Sequence, residues 1–205
     1  MATVFQPNYW SNPLVEPKRQ YKWVLSLGAL SSQIPGWVIK SSSKPNFNMG
    51  ETSHSFINHT FYYPGKLTWN PLDISLVDPG GSHDVTKAMM NAIRSMGYSL
   101  PRGDNNGLGS QGQEAAGITF SKAAATNILG TVTLRQFAPN TNQGAKPNKD
   151  KVWIERWDLH NAWIKDVNFG SLSYDNEGLV DLSMTLRFDW AVHSDGNTAG
   201  PTTLP

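Results

Sequence analysis

The stretch VDLSMTLRFDWAV, residues 180–192, decides the fold class. Its even positions, from Val180 through Leu182, Met184, Leu186, Phe188 and Trp190 to Val192, are all apolar. The odd positions, Asp181 to Asp189, are polar, and only Ala191 departs from that rule. Successive side chains of a strand point to opposite faces, so this alternation predicts one strand with one buried face. At ~3.4 Å per residue it would span roughly 44 Å, about twice a common strand. Strands of that length belong to large sheets or barrels.

The same period of two recurs outward from this stretch. Strands are expected over 21–27, from 37–40 toward Phe47, over 55–63 and over 67–77, with a break or bulge at Asn70-Pro71. Pro64-Gly65 is expected to be a turn. Further strands are expected over 129–137, 152–159 and 163–169. One helix interrupts the series: Val85, Ala88, Met89, Ala92, Ile93 and Met96 form a single apolar stripe at helical spacing. Ser82 or Asp84 is placed to cap it and Gly97 to end it. A short helical turn is expected over 122–127. The expected architecture is mainly β, a sandwich or partial barrel with one flanking α-helix. A single domain over 21–193 would carry an extended arm (1–20), a glycine-rich loop (99–119), a polar link (139–150) and a flexible tail (194–205).

Composition limits the functional classes. Seventeen basic residues against sixteen acidic ones give a net charge of +1. That balance argues against a dedicated duplex-DNA binder. The absence of cysteine removes disulfides and thiol chemistry. The first residues show neither a signal peptide nor a membrane span, so a soluble chain used inside a cell is expected. Eight tryptophans are many for 205 residues. Packing in a core or a subunit interface is their commoner use, and stacking on sugar rings in a carbohydrate-binding sandwich is the alternative.

Motifs for catalysis fail on context. Residues Gly107, Gly109 and Gly112 match a dinucleotide-binding pattern, but no strand leads in and no helix opens within it. Arg102-Gly103-Asp104 lies in a Gly/Asn loop, and Asn58-His59-Thr60 is a glycosylation sequon only in a secreted chain. None of the histidines is spaced for a zinc helix. His54 and His59, five apart in one expected strand, should face opposite sides. Asp175, Glu177, Asp181 and Asp189 are expected on a hydrated surface. No enzyme activity, metal, cofactor or small-molecule substrate is expected.

Three segments carry a resemblance: LHNAWI at 159–164, GSLSY at 170–174 and MTLRFDW at 184–190. With the opening strand at 21–27 and FYYPGKLTW at 61–69, their order resembles the tail tube proteins of contractile-tailed, T4-type bacteriophages and related injection-system inner tubes. The matching positions are Pro64, Gly65, Trp69, Trp163, Gly170, Tyr174, Arg187, Asp189 and Trp190. The chain departs from the pattern at Ile164, where many members have proline. The resemblance implies six copies closing into a ring-shaped β-barrel, with rings stacked into a tube. It implies as partners the chain itself, a tail sheath, baseplate or initiator proteins and a tail terminator. Phage DNA would be a transient, non-specific passenger. Assembly would occur in the bacterial host's cytoplasm and the product would reside in the virion tail. Strands near 36–63 and 129–160 are the expected bore lining.

Overall fold

The computed structural model describes residues 17–98, 120–137, 153–175 and 177–195. Most of the arm, the 99–119 loop, the 139–150 link and the tail beyond 195 lie outside the described residues. So do Arg102-Gly103-Asp104 and the glycine pattern at 107–112.

Ten strands and two α-helices make up the described chain. They are β1 (Trp23–Ser26), β2 (Ile39–Ser42), β3 (Phe47–Phe56), β4 (His59–Trp69), β5 (Leu72–Val77), α1 (Val85–Ser95), α2 (Lys122–Leu129), β6 (Val132–Phe137), β7 (Trp153–His160), β8 (Trp163–Asn168), β9 (Asp181–Arg187) and β10 (Trp190–Asp195). Two four-stranded antiparallel sheets form, in the orders β1-β6-β7-β10 and β2-β5-β9-β8. The pair β3-β4 stands apart as a two-stranded ribbon. As a single chain the sheets do not close into a barrel.

Alternation builds the core. Leu72, Ile74 and Leu76 of β5 and Leu182, Met184 and Leu186 of β9 are buried, while Asp73 and Ser183 between them are not. Leu25, Leu134 and Leu159 bring the first sheet into the same cluster. Helix α1 adds Val85, Ala88, Met89 and Ala92, the stripe expected from the sequence. Asp84 caps it by accepting from the Lys87 N–H at 2.7 Å, and Asp78 accepts from Val85 N–H at 2.9 Å. Past its end, the Gly97 N–H donates to Arg94 O with φ at +112°.

The long strand over 180–192 is broken. Phe188 and Asp189 form a corner, and the chain passes there from the second sheet into the first. Even positions point inward through Phe188, but beyond the corner Ala191 pairs with buried Leu159, so odd positions point inward. The apolar pattern continues unbroken only because Trp190 and Val192 occupy the outer face of the next sheet. Periodicity alone does not register a change of face that leaves the composition alternating.

Other expectations are corrected too. Residues 55–63 are not one strand but the tip of a hairpin, turning at Ile57 (φ +56°) and Asn58. Pro64-Gly65 is not a turn; both lie inside β4, beside a bulge where β4 has an extra residue between the pairs Met49–Leu67 and Glu51–Pro64. The helical turn at 122–127 is a full helix, α2, capped by Ser121 and packed on β8 and α1, so two helices flank the sheets. β1 begins only at Trp23, with Tyr21 exposed in a turn, and residues 36–38 form a 3-10 turn rather than a strand. β10 also reaches Asp195, two residues into the expected tail.

Gly28 joins β1 to the helical layer with φ +57°, and a Cβ there would overlap the carbonyl oxygen of Leu129 at the end of α2. Backbone cannot yield as a side chain can. Gly28→Ala should therefore cost more than about 2 kcal/mol, through left-handed strain plus the clash, and lower the melting temperature by several degrees. Thermal unfolding followed by circular dichroism checks this.

Candidate assembly surface

The ribbon begins as a hairpin inside the sandwich and continues out of it. β2 pairs with β5 in the second sheet. Beyond them the Ser43 N–H donates to Asp73 O at 2.9 Å, and the Asn70 N–H donates to Asn46 O at 2.9 Å. Pro45 and Pro71 have no N–H to donate, so the sheet ladder is interrupted here while the two strands stay together. Trp69 anchors the base, its ring centroid 5.4 Å from that of Phe47 and 5.7 Å from that of buried Phe188.

From this base β3 and β4 run ten and eleven residues, roughly 34–37 Å at the usual rise. Every residue of β3 is exposed, and so is nearly all of β4. The bulge lets the strands twist closely: a Cβ on Gly65 would stand 3.0 Å from the Gly50 carbonyl group. Cross-strand pairs share a face, so His54 with Phe61 and Phe56 with His59 form one aromatic checkerboard. His54 and His59 thus share a face, contrary to the expectation from one continuous strand. Phe47, Met49, Tyr62 and Leu67 lie on the other face. A two-stranded ribbon is at best marginally stable by itself, and this one leaves both faces uncovered.

A second cluster fixes the ribbon's root to the first sheet. Glu155 of β7 is buried on the inward face beside Gln136. It accepts from Lys44 Nζ at 2.8 Å, from Trp157 Nε1 at 2.7 Å, and from Lys18. Lys44 also donates to Gln136 Oε1 at 2.8 Å. Lys44 lies between β2 and the ribbon, and Lys18 precedes β1, so one carboxylate holds three separate segments. Burial raises its pKa, but the hydrogen bonds from Lys18, Lys44 and Trp157 outweigh that and hold it at about 2. A cleft of about 570 Å³, lined by Tyr21, Trp23, Lys44, Glu155 and Trp157, opens beside the cluster. The signal for Glu155 was present in the sequence: an acid on the same parity as Trp157 and Leu159.

The positions named by resemblance fall into three places. Pro64, Gly65 and Trp69 are in the ribbon. Arg187, Asp189 and Trp190 are at the corner between sheets, with Trp163 paired to Arg187. Gly170 and Tyr174 lie in the loop between β8 and β9. At the corner Asp189 accepts from Lys122 Nζ at 2.6 Å and Asn161 Nδ2 at 2.8 Å, and these bonds lower its pKa. Trp190 stacks on His160 with ring centroids 5.1 Å apart. Gly170 has φ +78°, and a Cβ there would stand 2.5 Å from Asp181 O. The expected bore strands fall on separate sheets of one chain: β6 and β7 are neighbours in the first sheet, whereas residues 36–63 span a turn, β2 and the ribbon.

Among the described tryptophans only Trp37 and Trp190 are exposed, and they lie on different elements. No group of three or more metal-ligating side chains occurs among the described residues.

No protein-family model and no curated protein matches the chain. Solved structures do share its fold. A chain of the tube-terminating cap of the anti-feeding prophage superposes with a TM-score of 0.55 at 15% identity, covering 89% of this chain and 93% of that one. A chain of the sheath/tube terminator of PVC, an extracellular contractile injection system, gives 0.55 at 14%, covering 88% and 99%. A chain of the six-fold-symmetrised anti-feeding prophage baseplate gives 0.56 at 10%, covering 90% and 100%. The chain therefore shares its fold with chains of these contractile injection assemblies.

Glu155 provides a pH test. Its folded pKa, about 2, lies below the 4.5 of an unperturbed glutamate, so its stabilisation is present above about 4.5 and lost as pH falls toward 2. Glu155→Gln should cost about 1–2 kcal/mol near neutral pH, since both lysines are half exposed. The gap between wild type and variant should close between those pH values, measured by urea unfolding.

Proposed function

We propose that this chain is a structural subunit of the tube, or of the cap that ends the tube, in a contractile tail or contractile injection apparatus. The observation that carries the reading is the β3-β4 ribbon. Its eight large hydrophobic residues, among them Phe56, Phe61, Tyr62 and Tyr63, are 46–88% exposed. At ~100 Å² each they offer roughly 800 Å², the share one partner gives to a stable interface. Exposed apolar surface on that scale, divided between the two faces of the ribbon, marks a contact site. The fold shared with chains of contractile injection assemblies supplies the context, and further copies of the chain are the first partners.

In this reading six copies close a ring by pairing the free edges of their sheets, and rings stack. A sheath would surround the tube, with a baseplate or initiator at one end and a terminator at the other. The subunit performs no catalytic step. In a phage the passenger would be DNA, which a near-neutral tube would let slide. A second reading, the inner tube of an injection system carrying a protein, draws on the likeness to injection-system structures. A capsid and a terminase among the neighbouring genes would select the phage form, and their absence the other.

Purified protein should form rings or tubes in negative-stain electron microscopy and sediment as an oligomer. A monomer that persists at high concentration contradicts the reading. Phe61→Ser with Tyr62→Ser should reduce assembly at least tenfold in critical concentration while changing monomer stability by less than about 1 kcal/mol, because both side chains are exposed.

A further inference from the structure

The sandwich is not filled at one end. On the inward face of the first sheet, Leu25, Leu134 and Trp157 lie side by side across β1, β6 and β7. The next row along is Trp23, Gln136 and Glu155. Apolar filling gives way to polar groups there, and the cleft of about 570 Å³ between this row and β2 stays open. Small-ligand sites usually measure about 300–1,000 Å³. Tyr21, Trp23 and Trp157 supply ring surface to its walls, and Tyr21 is 75% exposed. These groups come from the lead into β1, the link after β2, β6 and β7, so no motif in the sequence announces the cleft.

The hydrogen-bonding capacity left over is one-sided. Glu155 accepts from Lys18, Lys44 and Trp157. Gln136 accepts from Lys44 and donates to Arg19 O at 3.2 Å. The buried acceptors are therefore engaged. The donors are not: an ammonium has three N–H groups, and among the described residues Lys44 uses two and Lys18 one. Two half-exposed cations share one carboxylate, and Asp195, opposite Glu155 on β10, does not line the cleft. The segment leading in, Lys18-Arg19-Gln20-Tyr21-Lys22-Trp23, interleaves cations with rings and holds no acid.

We propose that this cleft binds a nucleotide, with its base against Tyr21 and Trp23 and its phosphate on Lys18 and Lys44. A neutral sugar needs acceptors as well as donors, whereas a phosphate presents acceptors and negative charge to just such ammonium groups. Aromatic faces stack any base, so the ring wall does not demand one sequence. Trp23 and Glu155 stand two strands apart, about 10 Å, which is the order of the distance from base to phosphate in one nucleotide. The same chemistry is offered by a free nucleotide and by one unit of a single strand. The inference does not depend on self-assembly.

Full-length protein is titrated calorimetrically with adenosine monophosphate, with adenosine, and with a single-stranded oligodeoxyadenylate. The monophosphate should bind with a Kd below about 1 mM and weaken as salt is raised. Adenosine should bind at least tenfold more weakly. Tyr21→Ser, at an exposed position, should weaken the monophosphate by about fivefold or more with the melting temperature unchanged. Lys44→Gln should weaken the monophosphate but not adenosine. An oligomer that binds more tightly than the monophosphate makes a single strand the ligand, and one that binds no more tightly makes it the free nucleotide. No binding of any of the three overturns the proposal. So does adenosine binding as tightly as the monophosphate, or Tyr21→Ser binding it as wild type does. None of these results bears on whether rings or tubes form.

Discussion

A β-strand needs hydrogen-bond partners on both sides and an apolar cover on at least one face. The two sheets meet the second requirement by facing a common core with two helices. They leave β1 and β10, and β2 and β8, as edges among the described strands. The ribbon meets neither requirement: each of its strands has one partner, and both faces are in water. A chain of this composition does not maintain such a ribbon as a surface ornament, since exposed aromatics and unpaired edges favour association. In the proposed function, the need to cover the ribbon and pair the edges links the architecture of one chain to assembly.

Two polar clusters hold that architecture in place. Glu155 ties the segment before β1 and the root of the ribbon to the inward face of the first sheet. Asp189 joins α2, the β7-β8 turn and the corner where β9 becomes β10. Both are carboxylates with several donors, and charge-assisted bonds of this kind hold geometry more firmly than neutral ones. The ribbon therefore leaves the sandwich in a defined direction, lowering the ordering cost when it meets a partner.

Much of this was legible in the sequence. The strand period, the α1 stripe with its Asp84 cap, and the Asn70-Pro71 break are local features, and each lies where it was expected. The failures share one cause. At 180–192 an alternating pattern survives a change of sheet because Trp190 and Val192 are apolar on an outer face. At 55–63 the pattern runs through a hairpin turn without glycine, since Ile57 itself takes the positive φ. Pro64-Gly65 has the composition of a turn but serves as a bulge, because the partner strand extends past it. In all three, distant pairing decides the outcome. Glu155 was visible as an acid on an inward parity, but its two lysines come from segments more than one hundred residues away.

The central claim is that the ribbon is covered by other copies of the chain. Amide hydrogen exchange over residues 47–69, compared between dilute monomer and concentrated protein, tests it directly. The account expects fast exchange along the outer edges of β3 and β4 in the monomer and at least tenfold slowing on assembly. Equal exchange in this segment at every concentration, with assemblies present, would contradict it.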